Sequence, residues 1–228
     1  MNKGKLWGVG VGPGDPQLMT LKAVEVLRQC DAVAVPRRDK NECLALSIAL
    51  GAVPELMDKP TIEVHMPMTK DPEALEQGFR EGTASLRDAL DAGKTVAFLT
   101  LGDPTVYSTY SYLHTRIKAM GYRTEIVPGI SSFSSAAAAL DRPLCQGREA
   151  LHIIPATYGV EEALEYPGVK VLMKNNVGET RKALLGRGLD VQMVENCGLP
   201  QEKRYFSLEE IPENGGYYSL MIVKEEQK

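Results

Sequence analysis

The stretch that decides the fold is KTVAFLTLGDPTVYSTYSYL, residues 94–113. Its residues 96–99, Val-Ala-Phe-Leu, form a short apolar run of the kind found in strands that are covered on both faces. Gly102 and Pro104 end that run. A helical pattern starts at Val106, with apolar side chains at i, i+3, i+7 and i+10: Tyr110, Leu113, Ile117 and Met120. The order strand, glycine turn, helix predicts an α/β sheet with this turn at its carboxyl edge, where such folds bind ligands.

The glycine turn has two interpretations, and its own residues do not choose between them. Gly102 lets a ligand approach the backbone closely, and Asp103 places a carboxylate at the rim of the expected site. Tyr107, at the predicted helix start, is within reach of the turn. The alternative is an ordinary connection between strand and helix, in which Asp103 caps the helix.

Size and charge limit the classes of function. The chain has 228 residues, with 43% apolar and 25% charged residues and a net charge of −4. This composition is typical of globular proteins, and the length fits two small α/β domains. The charge gives no general attraction to nucleic acid or to an anionic membrane. No apolar run approaches the length of a membrane span, and the glycine-rich N-terminus lacks the apolar core of a signal peptide. We therefore expect a soluble cytoplasmic protein.

The potential metal ligands are scattered. The cysteines show no Cys-x-x-Cys spacing, and the histidines match no metal-ligand pattern: Cys30, Cys43, Cys145 and Cys197; His65, His114 and His152. We predict neither a disulfide framework nor a metal site.

Strands and helices alternate along the chain, which predicts a mostly parallel sheet flanked by helices in an N-terminal domain over residues 1–122. A second α/β domain is expected over residues 123–228. Its last two predicted strands, 204–207 and 217–223, follow one another without a helix. This order suggests an antiparallel hairpin and therefore a mixed sheet.

Three familiar glycine motifs fail on their spacing. Residues 8–15, GVGVGPGD, do not fit Gly-x-Gly-x-x-Gly, and Pro13 removes an amide that would face a pyrophosphate. Gly93-Lys94-Thr95 lacks the earlier glycine of a P-loop. Residues 129–133, Gly-Ile-Ser-Ser-Phe, carry a phenylalanine where a nucleophile elbow needs its last glycine. Dinucleotide, phosphate and serine-hydrolase chemistry are therefore disfavoured.

Taken in order, the glycine segments resemble the tetrapyrrole methylase family, the class III methyltransferases that use S-adenosylmethionine (SAM). Residues 10–20, GVGPGDPQLMT, are similar to its opening motif, and residues 101–108, LGDPTVYS, to its central one. Residues 125–132, EIVPGISS, resemble the third, and residues 194–198, VENCG, the fourth. Within the family, DPTVYSTY at 103–110 is most similar to the branch that methylates C(20) of precorrin-2 or cobalt-factor II in cobalamin synthesis.

The resemblance implies two α/β domains, SAM in a cleft between them, a tetrapyrrole substrate and a homodimer. The cofactor-binding positions carried over from the family are Pro13, Leu101, Gly102, Asp103, Val106, Tyr107, Ser131, Ser132 and Lys174. Lys174 is the least secure of these, and it is an alternative contact for the substrate.

Catalysis by this family implies methyl transfer to a carbon at the macrocycle edge. We name Asp103, Glu149 and Lys174 as candidates for polar contacts with that edge, because each lies at the end of a predicted strand. The carboxylate arms of the substrate need cations, and residues Arg37, Arg38 and Lys40 are the nearest candidates; each also fits a solvated loop. A non-catalytic nucleotide or tetrapyrrole carrier is the main alternative, and a dehydrogenase is a weaker one.

Overall fold

The computed structural model describes residues 3–37, 43–66, 69, 71–155, 160–173 and 176–225. The chain divides after Ser131 into two compact units. This division lies beyond the boundary near residue 122 expected from sequence, because the strand at Arg123–Val127 pairs in the first sheet. The glycine at 121 therefore precedes the last strand of the first unit and does not lead directly into the second.

The first unit contains a five-stranded sheet whose strands are all parallel, as predicted. The strands are β1 (Lys5–Gly10), β2 (Ala32–Arg37), β3 (Thr61–His65), β4 (Thr95–Thr100) and β5 (Arg123–Val127). Their order across the sheet is β3-β2-β4-β1-β5. The central strand β4 is buried from Val96 to Leu99, which explains its uninterrupted apolar run. Because all strands are parallel, the turns that follow β4, β1 and β5 lie side by side at one edge.

Helices cover both faces of this sheet, and each face has its own apolar core. The helices are α1 (Leu21–Gln29), α2 (Leu44–Ala52), α3 (Pro72–Asp91) and α4 (Tyr110–Ala119), with short 3₁₀ turns at Pro16–Leu18 and Pro54–Asp58. One core packs α1 and α2 against side chains such as Leu99. The other packs α3 and α4 against Phe98 and its neighbours. The alternation of β4 side chains between these two cores fixes the direction in which each residue of the strand points.

Local signals set the ends of these helices. Thr20 caps α1, accepting a hydrogen bond from Ala23 N at 3.2 Å. Lys59 closes the other end of α1, since its Nζ donates to Arg28 O at 2.7 Å and Cys30 O at 2.5 Å. Helix α4 begins at Tyr110 and not at the predicted Val106.

The later start of α4 has a local cause. Tyr107 adopts a left-handed backbone conformation, with φ of 47°, which a continuous right-handed helix excludes. The Ser108 hydroxyl accepts a hydrogen bond from Tyr110 N at 3.1 Å, at the point where the helix starts. Residues 101–109 are therefore a turn region longer than the sequence indicated.

The second unit contains a mixed five-stranded sheet, as predicted. Its strands are β6 (Leu151–Pro155), β7 (Val169–Met173), β8 (Leu189–Glu195), β9 (Lys203–Tyr205) and β10 (Ser219–Glu225), in the order β6-β7-β10-β8-β9. Strands β6 and β7 are parallel, whereas β10 runs antiparallel to β7 and β8. The predicted hairpin between β9 and β10 is wrong. Strand β8 lies between them and pairs with each, because β10 matches all seven residues of β8 in register.

The helices that the structure describes on this sheet are α5 (Ser132–Ala139), α6 (Glu161–Leu164) and α7 (Val177–Leu184). Helix α5 lies over a core that includes Val171 and Ile222, and α6 and α7 cover the opposite core around Leu172 and Met221. The Arg142 guanidinium binds both oxygens of Asp190, at 3.2 and 2.6 Å, and so joins the segment after α5 to the start of β8. Among the described residues, no helix has both the length and the apolar character needed to cross a membrane.

Candidate functional site

The turns after β1 and β4 join at the carboxyl edge of the first sheet. Gly12 N donates to Gly102 O at 3.3 Å, and Gly102 N donates to Gly12 O at 2.7 Å. Both glycines have positive φ, 77° and 72°, which residues with a side chain adopt only at a cost. Val11 N also donates to Thr100 O at 2.9 Å. The first and central sequence motifs are therefore joined to each other by hydrogen bonds between their backbones.

The turn after β5 packs directly on this unit without side chains between them. A Cβ built on Gly10 would lie 2.6 Å from Gly129 N and 2.7 Å from Gly102 O. A Cβ on Gly129 would collide with Gly102 O and would lie 3.0 Å from the Gly10 Cα. Backbone atoms occupy these places, so neither position has room for a methyl group. Glycines from three sequence motifs thus meet at one point.

Gly102 differs from the other two glycines because it faces open space. Among the described residues other than its two chain neighbours, no atom lies within 4 Å of the place where its Cβ would stand, although Gly102 as a whole is buried. The pairing with Gly12 therefore accounts for the positive φ of Gly102, but no packing contact accounts for the open space where a side chain would stand. A ligand that approaches the Gly102 backbone would meet no side chain from this residue.

Asp103 follows directly, and its carboxylate is held from one side. Its Oδ1 accepts hydrogen bonds from Thr105 N at 2.7 Å and from Thr105 Oγ1 at 2.6 Å. The Asp103 carbonyl also accepts from Val106 N at 3.2 Å. The side chain is half-buried. Asp103 therefore organises the turn and does not cap α4, which begins only at Tyr110 with Thr109 at its N-cap.

The remaining described positions that the family resemblance assigns to the cofactor differ in burial. Pro13 is buried, and Leu101 is half-buried against the core beneath α1 and α2. Val106 is half-buried, whereas the Tyr107 side chain is 45% exposed. Ser131 ends the first unit and Ser132 begins α5 of the second; both are half-buried.

Sequence reasoning missed Thr100, the last residue of β4. Its Oγ1 is enclosed by protein and has no hydrogen-bond partner among the described residues. Most buried polar atoms in proteins are paired, so an unpaired one at a candidate site needs an explanation. In the sequence, only its position directly before Leu101–Gly102 indicated that Thr100 could belong to the site.

The structure places Glu149 before the start of β6 and not at the end of a strand of its own, beside the last residues of the antiparallel strand β10. The Oε2 of Glu149 accepts from Gln146 N at 2.6 Å and lies 3.7 Å from Lys224 Nζ. Lys224 is buried and also donates to Pro143 O at 3.1 Å. Glu149 thus stabilises its own loop and neutralises a buried ammonium group. Since β6 and β7 are parallel, it stands at the edge opposite to the end of β7 at Met173.

Several predicted positions lie outside the described residues: Lys174, Arg38 and Lys40. Arg37 is the final residue of β2, beside His65 of β3 in register, and so belongs to the same sheet edge as the glycine turns. Among the described residues, no cluster of three or more His, Cys, Asp or Glu side chains has the geometry to hold a metal ion.

Comparison with known proteins agrees with this arrangement of motifs. A family model for Tetrapyrrole (Corrin/Porphyrin) Methylases matches residues 5–212. The chain is 37% identical to a Methanocaldococcus jannaschii protein named probable cobalt-precorrin-2 C(20)-methyltransferase, covering 96% of each chain. It is 33% identical to the cobalt-precorrin-2 C(20)-methyltransferase of Salmonella typhimurium, covering 98% of this chain and 97% of that one.

Solved structures show the same fold. The uroporphyrin-III C-methyltransferase of Thermus thermophilus, complexed with S-adenosylhomocysteine, is 26% identical with a TM-score of 0.69, covering 97% of this chain and 98% of that one. A cobalt-precorrin-4 methyltransferase, at 19% identity and a TM-score of 0.73 over 96% and 94%, matches in fold. With a family model that spans nearly all of it and relatives aligned from end to end, the chain belongs to the tetrapyrrole (corrin/porphyrin) methylase family.

Proposed function

We propose that this chain is a SAM-dependent methyltransferase that adds a methyl group to C(20) of precorrin-2 or its cobalt-containing form during cobalamin synthesis. The observation that carries this proposal is the end-to-end match to relatives named for that reaction, at 37%, 33% and 31% identity. The third of these, a precorrin-2 C(20)-methyltransferase of a Sinorhizobium species, covers 96% of this chain. Relatives named for both forms of the substrate are matched, so we include both.

The carboxyl edge of the first sheet suits the methyl donor. Gly102 has open space where a Cβ would stand, and Thr100 offers a buried oxygen with no partner in the part of the chain that the structure describes. The donor is a slender, flexible molecule, so it can follow a surface made of backbone atoms. We propose that the residues named from the family resemblance hold it: Pro13, Leu101, Gly102, Asp103, Val106, Tyr107, Ser131, Ser132 and Lys174.

When bound, SAM supplies a methyl group that is already activated by its positively charged sulfur. The carbon–sulfur bond breaks as the new carbon–carbon bond forms, and the macrocycle carbon gives up its proton. The protein must therefore align the reactants and exclude water. The rigid glycine turns hold the edge in place, and Asp103 contributes an oriented carboxylate. Asp103 and Lys174 are our candidates for polar contacts at the reacting edge, whereas we assign Glu149 to stability.

Binding of the substrate needs positive charge, because the macrocycle carries several carboxylate arms. Arg37 ends β2 at the same sheet edge as Gly102, and Arg38 and Lys40 follow in sequence. We propose that these three cations bind the carboxylates. We also propose that the enzyme is cytoplasmic and that it forms a homodimer. Sedimentation at several protein concentrations would test the dimer.

Incubation with isotopically labelled SAM tests the reaction. We expect mass spectrometry to show one labelled methyl group on precorrin-2, on its cobalt form, or on both, and NMR to place it at C(20). Label at another carbon would assign the chain to a different reaction of the same family. Binding of both molecules without transfer of label would favour a carrier.

Asp103 is tested separately. Asp103→Ala should weaken binding of S-adenosylhomocysteine and lower turnover, while Asp103→Asn should keep the hydrogen bonds from Thr105 and show how much depends on the charge. If Asp103→Ala binds and turns over like the wild type, the assignment of Asp103 to the site is wrong.

A further inference from the structure

Thr100 stands out among the polar side chains of the first unit because its hydroxyl oxygen is buried at the site yet unpaired. Its carbonyl is already used, since it accepts from Val11 N at 2.9 Å. Its register partner on β1 is Gly10, which has no side chain to offer a bond. An unpaired buried hydroxyl costs stability, so the fold alone gives no reason for threonine here over valine.

The direction of the side chain follows from its strand. In β4, Ala97 and Leu99 belong to the core beneath α1 and α2, whereas Val96 and Phe98 belong to the core beneath α3 and α4. Thr100 continues the second set by alternation. Its hydroxyl therefore lies at the end of that core nearest the carboxyl edge of the sheet, immediately before the Leu101–Gly102 turn.

We propose that the Thr100 hydroxyl is a hydrogen-bonding contact of the methyl donor, an inference that rests on the proposed function. Because Oγ1 is enclosed in the ligand-free chain, its partner arrives together with a small shift of neighbouring side chains, which commonly accompanies binding. A slender ligand held on the glycine turns reaches an oxygen at this depth more readily than the rim of a rigid macrocycle does. This bond would give Thr100 Oγ1 the hydrogen-bond partner that it lacks among the described residues.

The chain supplies a matched control in Thr124. Its Oγ1 is also buried and without a partner among the described residues, and it lies on β5 of the same sheet. Thr124 pairs with Leu6, whereas Thr100 pairs with Gly10, four positions further along β1. At about 3.3 Å per residue, the two hydroxyls stand roughly 13 Å apart along the strand direction, at different ends of the sheet.

The test compares Thr100→Val, Thr100→Ser and Thr124→Val with the wild type, by calorimetry with S-adenosylhomocysteine and by thermal unfolding without ligand. We expect Thr100→Val to bind about tenfold more weakly, which corresponds to the loss of one hydrogen bond. Its ligand-free melting temperature should equal or exceed that of the wild type. Thr100→Ser should restore binding, and Thr124→Val should bind normally. A purely structural hydroxyl would lower stability when removed and leave the affinity unchanged.

Two outcomes overturn the inference. Equal affinity of Thr100→Val and the wild type would remove Thr100 from the donor site while leaving the proposed function intact. Normal affinity with a raised KM for the tetrapyrrole would assign the hydroxyl to the substrate. If the wild type itself does not bind S-adenosylhomocysteine, the proposed function fails first, so the two failures are distinguishable.

Discussion

Thr105 donates two hydrogen bonds to a single oxygen of Asp103, one from its amide at 2.7 Å and one from its hydroxyl at 2.6 Å. The described hydrogen bonds to this carboxylate all end on Oδ1. Hydrogen bonds to a charged acceptor are stronger than those between neutral groups, so the pair fixes the rotation of the carboxylate. Thr105 is thus a positioning residue for Asp103.

Replacement of Thr105 by valine keeps the amide donor and removes the hydroxyl donor. We expect affinity for S-adenosylhomocysteine to fall about three- to tenfold, because the carboxylate loses one of its two restraints. Thr105→Ser should recover most of the affinity. Calorimetry on the three proteins checks this. Equal affinities would mean that the amide alone orients Asp103.

Gly129→Ala tests the contact among the three glycine turns. The new methyl group would collide with Gly102 O and press against Gly10, and both obstacles are backbone. Since backbone cannot rotate away, we expect the free energy of unfolding to fall by about 3 kcal/mol. Urea denaturation measures the change. An unchanged midpoint would show that the turns are more loosely packed than described.

Gly102→Ala should have a different effect, because no described residue beyond its two chain neighbours has an atom within 4 Å of the new methyl group. Only the positive φ of 72° opposes the side chain, at a cost of about 1 kcal/mol. The methyl would, however, occupy the open face that we propose the donor covers. We expect at least about a tenfold loss of affinity for S-adenosylhomocysteine, measured by calorimetry.

Gly186→Ala is the control for that loss. Gly186 has φ of 73° and, within the described ranges and apart from its chain neighbours, likewise no atom within 4 Å of its Cβ position, but it follows α7 in the second unit. It should show the same small loss of stability with unchanged affinity. Equal affinity in both variants would contradict a ligand at Gly102.

Short-range patterns predicted most of the fold. The apolar run at residues 96–99 lies within β4 (Thr95–Thr100), as its composition indicated, and the strand, glycine turn and helix follow one another in the expected order. The order β10-β8-β9 was not predictable in the same way. Strand pairing depends on contacts between distant parts of the chain, and two strands adjacent in sequence carry no mark that a third will lie between them.

For the candidate site too, the sequence predicted the local features but not the contacts between distant residues. Turn chemistry and the carboxyl-edge rule located Gly102 and Asp103, because both follow from residues within one strand–turn segment. The partner of Glu149 was beyond such reasoning, since Lys224 lies in the last strand and only the folded sheet brings the two together. The unpaired state of Thr100 Oγ1 is likewise a property of everything around it.

Glu149→Gln separates the catalytic prediction from the structural role. Glutamine can still accept the hydrogen bond from Gln146 N but leaves the buried ammonium of Lys224 without its counter-charge. Because the Glu149 carboxylate is partly exposed and Lys224 keeps its hydrogen bond to Pro143 O, we expect a loss of only about 1 kcal/mol in the free energy of unfolding and an unchanged kcat. A kcat lowered by orders of magnitude at unchanged stability would restore Glu149 to the active site.

His114 gives the fold a dependence on pH. Burial, followed by the charge of Lys118, holds the pKa of this imidazole below its ordinary value of 6.5. Its Nδ1 lies 3.4 Å from the Tyr110 hydroxyl, which donates to Glu125 O at 3.2 Å. Because the unfolded chain binds the proton more readily, His114 contributes stability above pH 6.5 that is lost as the pH falls from 6.5 towards the lowered pKa of the folded state.

Replacement of His114 by glutamine removes this titration and keeps a polar side chain at the same position. We expect the wild type to lose more unfolding free energy than His114→Gln between pH 7.5 and the acid side of that window, with the two curves parallel above it. Urea denaturation at a series of pH values measures the difference. Curves that stay parallel throughout would mean that the imidazole has the same pKa in the folded and unfolded chains.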